Sequence, residues 1–110
     1  MMKTLDELVV LLKSFGLPFS NGSFLADERP VPPYIEIEAG YSEAVFADNV
    51  THIRWMPYDC ALYCAERDYE LEQRIESALD AAEFAYTKTV TAIDGEGVIE
   101  TAYEINVIEY

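Results

Sequence analysis

The chain has 110 residues, 51% apolar and 25% charged, which suits one globular domain over 1–110 and argues against a disordered chain. Asp and Glu number 21 against 7 Lys and Arg, a net charge of −14, so direct binding to nucleic acid or anionic lipid is disfavoured, because phosphate binding needs Lys and Arg. No apolar run approaches the ~20 residues that span a bilayer. The start, MMKTLDELVVLLKSFG, carries Asp6 and Glu7 and no small-residue cleavage site, so it does not read as a signal peptide and a cytosolic default is expected.

The first helix is predicted over residues 4–15. Thr4 and Glu7 form a capping box ahead of the apolar run. Leu5, Leu8, Val9 and Leu12 line one face, and Val10 and Leu11 widen it, so cover on more than one side is expected. Gly16 suits a left-handed terminus, Leu17 can fold back on the last turn, and Pro18 prevents continuation. Residues 18–33, PFSNGSFLADERPVPP, hold prolines and a glycine with no sustained period and read as a loop. A loop this long in a small domain is often functional.

Tyr34–Ala39 alternates as a strand, Ile35 and Ile37 inward, Glu36 and Glu38 outward. Glu43–Ala47 and Val50–Met56 read as a hairpin about Asp48-Asn49. Pro57 then separates Met56 from the next strand and suggests a bulge or an edge. Tyr58, Cys60, Leu62 and Cys64 share one strand face. At Glu66–Asp68 the apolar residues stop, and Asp68 is placed to cap a helix whose stripe is Leu71, Ile75, Ala78, Leu79 and Ala82. Glu70 and Arg74 form an i,i+4 pair of favourable polarity. Phe84–Ile93 and Val98–Tyr110 make a closing hairpin about residues 94–97, with Ile99, Thr101, Tyr103, Ile105 and Val107 on one face. The expected fold is α+β, two helices packed on one face of a mainly antiparallel sheet, in the order α-β-β-β-α-β-β.

Candidate chemistry is sparse. His52 has no serine or cysteine partner at a recognisable spacing, and Asp48 reads as a turn residue. Glu36, Glu38, Glu100 and Glu104 alternate as a solvated sheet face would; on neighbouring strands they could instead gather around a cation. Residues 95–97, GEG, fit a hairpin loop and no nucleotide-binding pattern. Cys60 and Cys64, i,i+4 on a strand, stand roughly 13 Å apart, too far for a disulfide, and read as buried thiols. No catalytic, cofactor-binding or metal-ligating residue is expected. The eight tyrosines suit contact surfaces, with core packing the alternative for a share of them. Phe19, Phe24 and Leu25 of the loop and Val45, Phe46, Trp55 and Met56 of the hairpin are the expected subunit-interface residues, two apolar surfaces that a lone subunit would expose.

The segments GLP at 16–18, PPYI at 32–35, FADN at 46–49, YDCALY at 58–63, ERDYELEQRIESAL at 66–79 and ETAYEI at 100–105 occur in that order. Together they resemble small prophage structural proteins of long-tailed phages, the tail terminator or tail-completion proteins encoded among the head–tail joining genes. The resemblance runs from Leu5 to Ile108. It departs from the family's basic linker before the helix, where this chain has the more acidic Ala65-Glu66-Arg67-Asp68. What it implies is a non-enzymatic α+β subunit in a homo-oligomeric ring, often of six. Such a ring caps the tail tube and docks on the head connector, in the virion and, during assembly, in the host cytoplasm. An acidic DNA mimic that blocks a basic nuclease or repressor is the alternative.

Overall fold

A computed structural model describes residues 4–39, 54–93 and 97–109. At its centre is β3, the eleven residues Arg54–Cys64, set in a five-stranded sheet with β1 (Phe19–Asn21), β2 (Tyr34–Ala39), β4 (Tyr86–Ile93) and β5 (Val98–Glu109). The order across the sheet is β1-β2-β3-β5-β4. The β1–β2 pair is parallel and all the other pairs are antiparallel. With helices α1 (Leu5–Lys13) and α2 (Tyr69–Ala81), the fold is α+β in the expected order α-β-β-β-α-β-β.

Two memberships differ from the sequence expectation. The first strand is β1, inside the segment expected to be loop throughout; Pro18 C=O and Gly22 N–H extend its pairing to Ile35 and Ile37. Pro57 lies within β3 and does not end it. Among the described residues its strand partner is Asn106 of β5, and the described part of β2 pairs with β3 as far as Tyr58. Of the expected 43–56 hairpin, residues 54–56 belong to β3 and the rest lies outside the described residues.

One face of the sheet carries the core. Ile35 and Ile37 of β2 face Leu62 and Cys60 of β3, and Cys60 faces Tyr103 of β5. Leu8 and Leu12 of α1 and Leu71, Ile75 and Leu79 of α2 pack on these side chains in a single buried cluster, so both helices lie on the same face. Burying each such aliphatic side chain contributes about 1.5–3 kcal/mol. The α1 stripe is narrower than the apolar run suggested: Leu8 and Leu12 are buried, whereas Val10 is 70% exposed.

Local chemistry sets the helix ends. The Thr4 hydroxyl accepts from the Glu7 N–H while the Glu7 carboxylate accepts from the Thr4 N–H, completing the capping box. Asp68 accepts from the Leu71 N–H at 2.9 Å to start α2. Arg74 sits with its guanidinium 5.7 Å from the Phe15 ring centroid, joining α2 to the end of α1.

Helix α2 ends in a Schellman motif. The Phe84 N–H reaches Leu79 C=O at 2.9 Å, the Glu83 N–H reaches Asp80 C=O at 3.0 Å, and Phe84 is buried behind them. Glu83 therefore adopts the left-handed conformation, φ +64°, without being glycine. Its negative charge also sits at the negative end of the helix dipole. Glu83→Gly should raise unfolding free energy by about 0.5–1 kcal/mol, the relief of a left-handed L-residue less the extra chain entropy of glycine. Urea denaturation checks this; a destabilised variant would mean that the Glu83 side chain holds a stabilising contact.

Candidate interaction surface

The sheet's second face, away from the helices, carries Glu36 and Glu38 of β2, Asp59 of β3 and Glu100, Glu104 and Asn106 of β5, with Tyr34, Ala61, Tyr63 and Ala102 among them. Its residues fall into rows because the registers of β2, β3 and β5 align. In one row Tyr34, Tyr63 and Glu100 lie side by side. Tyr34 stacks on Tyr63 with ring centroids 4.9 Å apart, and the Tyr63 hydroxyl donates to Glu100 at 2.8 Å. Burial, then the Glu100 bond and charge, push the Tyr63 phenol far above its ordinary range. The next row is Glu36, Ala61 and Ala102, and the third is Glu38, Asp59 and Glu104.

The segment after β1 crosses part of this face. Its Phe24 N–H donates to Glu36 at 2.7 Å, its Ser23 hydroxyl donates to Glu38, and its Phe24 ring meets Tyr34 edge-on at 5.5 Å. Glu36, expected to be solvated, is consequently only 7% exposed. A single 3-10 turn at Ala26–Glu28 follows. Beyond the tethered portion, Leu25 is 67% exposed and Val31 is 85% exposed.

The third row places three carboxylates opposite one another on adjacent strands, an arrangement that costs stability through like-charge repulsion. Among the described residues no three His, Cys, Asp or Glu side chains gather closely enough to hold a metal ion. Of the alternating acids, Glu36 accepts from the Phe24 N–H, Glu38 from the Ser23 hydroxyl and Glu100 from the Tyr63 hydroxyl.

On the helix side the charges are matched. Glu72, 2% exposed, takes two hydrogen bonds of 3.0 Å from Arg67 and an ion pair of 2.9 Å from Lys88. Lys88 also reaches Glu76 at 3.0 Å, and Glu76 accepts from the Tyr103 hydroxyl at 2.9 Å. This network joins α2 to β4 and β5. Burial alone would raise the Glu72 carboxyl; the Arg67 and Lys88 hydrogen bonds and charges outweigh it, so its pKa lies below the ordinary carboxylate value. Its stabilisation is complete above the unfolded value near ~4.3 and is lost as pH falls through the lower folded value. Glu72→Gln should be less stable than wild type at neutral pH, and the gap should close as the medium is acidified below about pH 4. Urea midpoints measured across that range give the answer; a gap independent of pH would show that the Glu72 charge contributes nothing.

The two thiols lie on the core face of β3. Burial pushes Cys60 up to about 12 and also raises Cys64, where Asp68 and Glu72 add to the effect. Both are free and buried, which suits packing and not nucleophilic chemistry.

The expected interface residues do not share one environment. Phe19 packs against the core with the Lys13 ammonium 5.6 Å from its ring centroid, and Phe24 is held against Tyr34. Leu25 alone of the loop's three projects outward. Val45 and Phe46 lie outside the described residues, as do His52 and Asp48. Trp55 and Met56 are on β3, opposite Ile108 and Val107 of β5; their side chains are outside the description. Val31, exposed on the same segment as Leu25, was missed, although an apolar residue between prolines in Pro30-Val31-Pro32 was a legible sign. Among the described residues no helix is long and apolar enough to cross a membrane. No protein-family model matches the chain, and no curated protein matches it.

Proposed function

We propose that this chain is a non-enzymatic structural subunit of a tailed-phage virion, a tail terminator or head–tail joining protein that works as a ring. It would meet the tail tube on one side and the head connector on the other, after assembly in the host cytoplasm. The ordered segments from GLP at 16–18 to ETAYEI at 100–105 support the family. The observation that carries the assembly reading is the 22–33 segment: anchored by Ser23 and Phe24, it presents Leu25 and Val31 to solvent. Apolar side chains held outward by a tethered segment suit a contact with another subunit. A ring of chains at −14 would also present DNA with a repulsive lumen, letting it pass without sticking.

The acidic row Glu38, Asp59 and Glu104 favours a second reading, a DNA mimic directed at a basic nuclease or repressor. Acids also lie on α1, on the 3-10 turn and on α2, so they do not follow one strip as phosphates do. Light scattering over a salt series separates the two. Subunits at −14 repel, and screening to a Debye length of about 8 Å should promote assembly. A mass that rises with salt, and rises less for Leu25→Asp, agrees with the ring. A monomer at every salt concentration that binds a basic nuclease agrees with the mimic.

A further inference from the structure

The two ends of the sheet differ in how they are protected. Edge strands ordinarily resist pairing through shortness, proline, bulges or an outward lysine. At the far end from β1, the edge strand β4 has eight residues, YTKTVTAI, without proline or glycine and with β-branched Thr87, Thr89, Val90, Thr91 and Ile93. Its one charge, Lys88, is turned to the helix side and engaged by Glu72 and Glu76, so it does not guard the edge. Among the described residues nothing pairs with the outer side of β4. Its residues are nevertheless exposed or half-buried throughout.

Charge narrows the choice of occupant. In a chain with 21 acids, residues 84–93 contain none, although Glu83 and Asp94 flank them. Residues 8–26, which include the opposite edge β1, also contain none. Two chains at −14 repel less where these two stretches meet than where acidic stretches do. Direction agrees as well. Strand β1 runs parallel to β2, and the antiparallel pairs β2–β3, β3–β5 and β5–β4 make β4 antiparallel to β1. A neighbouring copy carried sideways without inversion therefore brings its β1 antiparallel to β4, as ordinary sheet pairing allows.

We infer that the β4 edge of one copy pairs with the β1 edge of a second copy, joining subunits head to tail through a continued sheet. The 22–33 segment that carries the exposed Leu25 and Val31 follows directly on β1 in the chain. The pairing is a heterologous contact, the kind that closes a ring when its rotation closes. The inference rests on the ring reading and adds to it the two surfaces that meet.

Cross-linking with a short bismaleimide tests it in the full chain. Asn21→Cys and Val90→Cys place thiols on the helix-side face of β1 and β4, at exposed positions, while the native thiols stay buried. Mixing the two single variants should give a covalent pair that neither gives alone, and the double variant should give a ladder of higher masses. Ser20→Cys with Thr89→Cys repeats the test on the other face. Self-linking of Val90→Cys alone would replace the proposal with a two-fold contact. A ring seen by native mass spectrometry with neither pair linking would overturn the seam and leave the ring standing. A protein that stays monomeric would overturn both.

Discussion

Ile75→Ala should lower unfolding free energy by about 2–5 kcal/mol, the cost of removing a buried aliphatic side chain and leaving a cavity. Ile75 is fully buried at the middle of α2, one turn from both Leu71 and Leu79, and the three belong to one buried cluster with Cys60, Leu62, Tyr103 and Ile105. Helix and sheet meet through this stripe, so little nearby freedom exists to refill the gap. The effect should appear as a lower urea midpoint with an unchanged m-value. A loss below about half a kcal/mol, within the range of ordinary surface substitutions, would mean that α2 does not cover the sheet as described.

Tyr34→Ala should cost a comparable amount, about 3–5 kcal/mol, as truncating a large buried aromatic side chain does. Tyr34 is 2% exposed although it stands on the sheet face opposite the helices. Its burial comes from Tyr63, stacked at 4.9 Å, and from Phe24, edge-on at 5.5 Å. Each aromatic pair adds about 0.5–1.5 kcal/mol beyond area burial. Loss of the ring also removes the surface against which Phe24 is held. The variant should therefore show a second change, faster chymotryptic cleavage at Phe24 or Leu25 under native conditions. A destabilised protein whose 22–33 segment is cut no faster than in wild type would show that Ser23 and the Phe24 N–H tether that segment without the ring.

Wherever short-range chemistry decides the outcome, the fold was legible. The Thr4–Glu7 box, the Asp68 cap, the Leu71–Ile75–Leu79 stripe and the single faces of β3 and β5 follow from residues no more than a few positions apart. Long-range pairing decided what was missed. Strand β1 has three residues and exists because β2 lies beside it; its own sequence carries no period. Pro57 stays in a strand through its pairing with Asn106 of β5. Glu36 is buried because Ser23 and Phe24 cross over it, and Glu72 because Lys88, from β4, arrives beside Arg67. At the candidate surface, apolar type alone singled out Phe19, Phe24 and Leu25 alike. Only the tertiary contacts separate the two that pack within their own subunit from the one that projects.

Assembly into a ring is the claim on which the functional account turns, and native mass spectrometry of the purified chain reads it directly. Sprayed from a volatile salt at near-physiological ionic strength, the protein should give one dominant closed species of fixed copy number, six by the family resemblance. Lower salt should release monomer as repulsion between subunits at −14 grows. A monomer at every concentration and ionic strength would contradict the account.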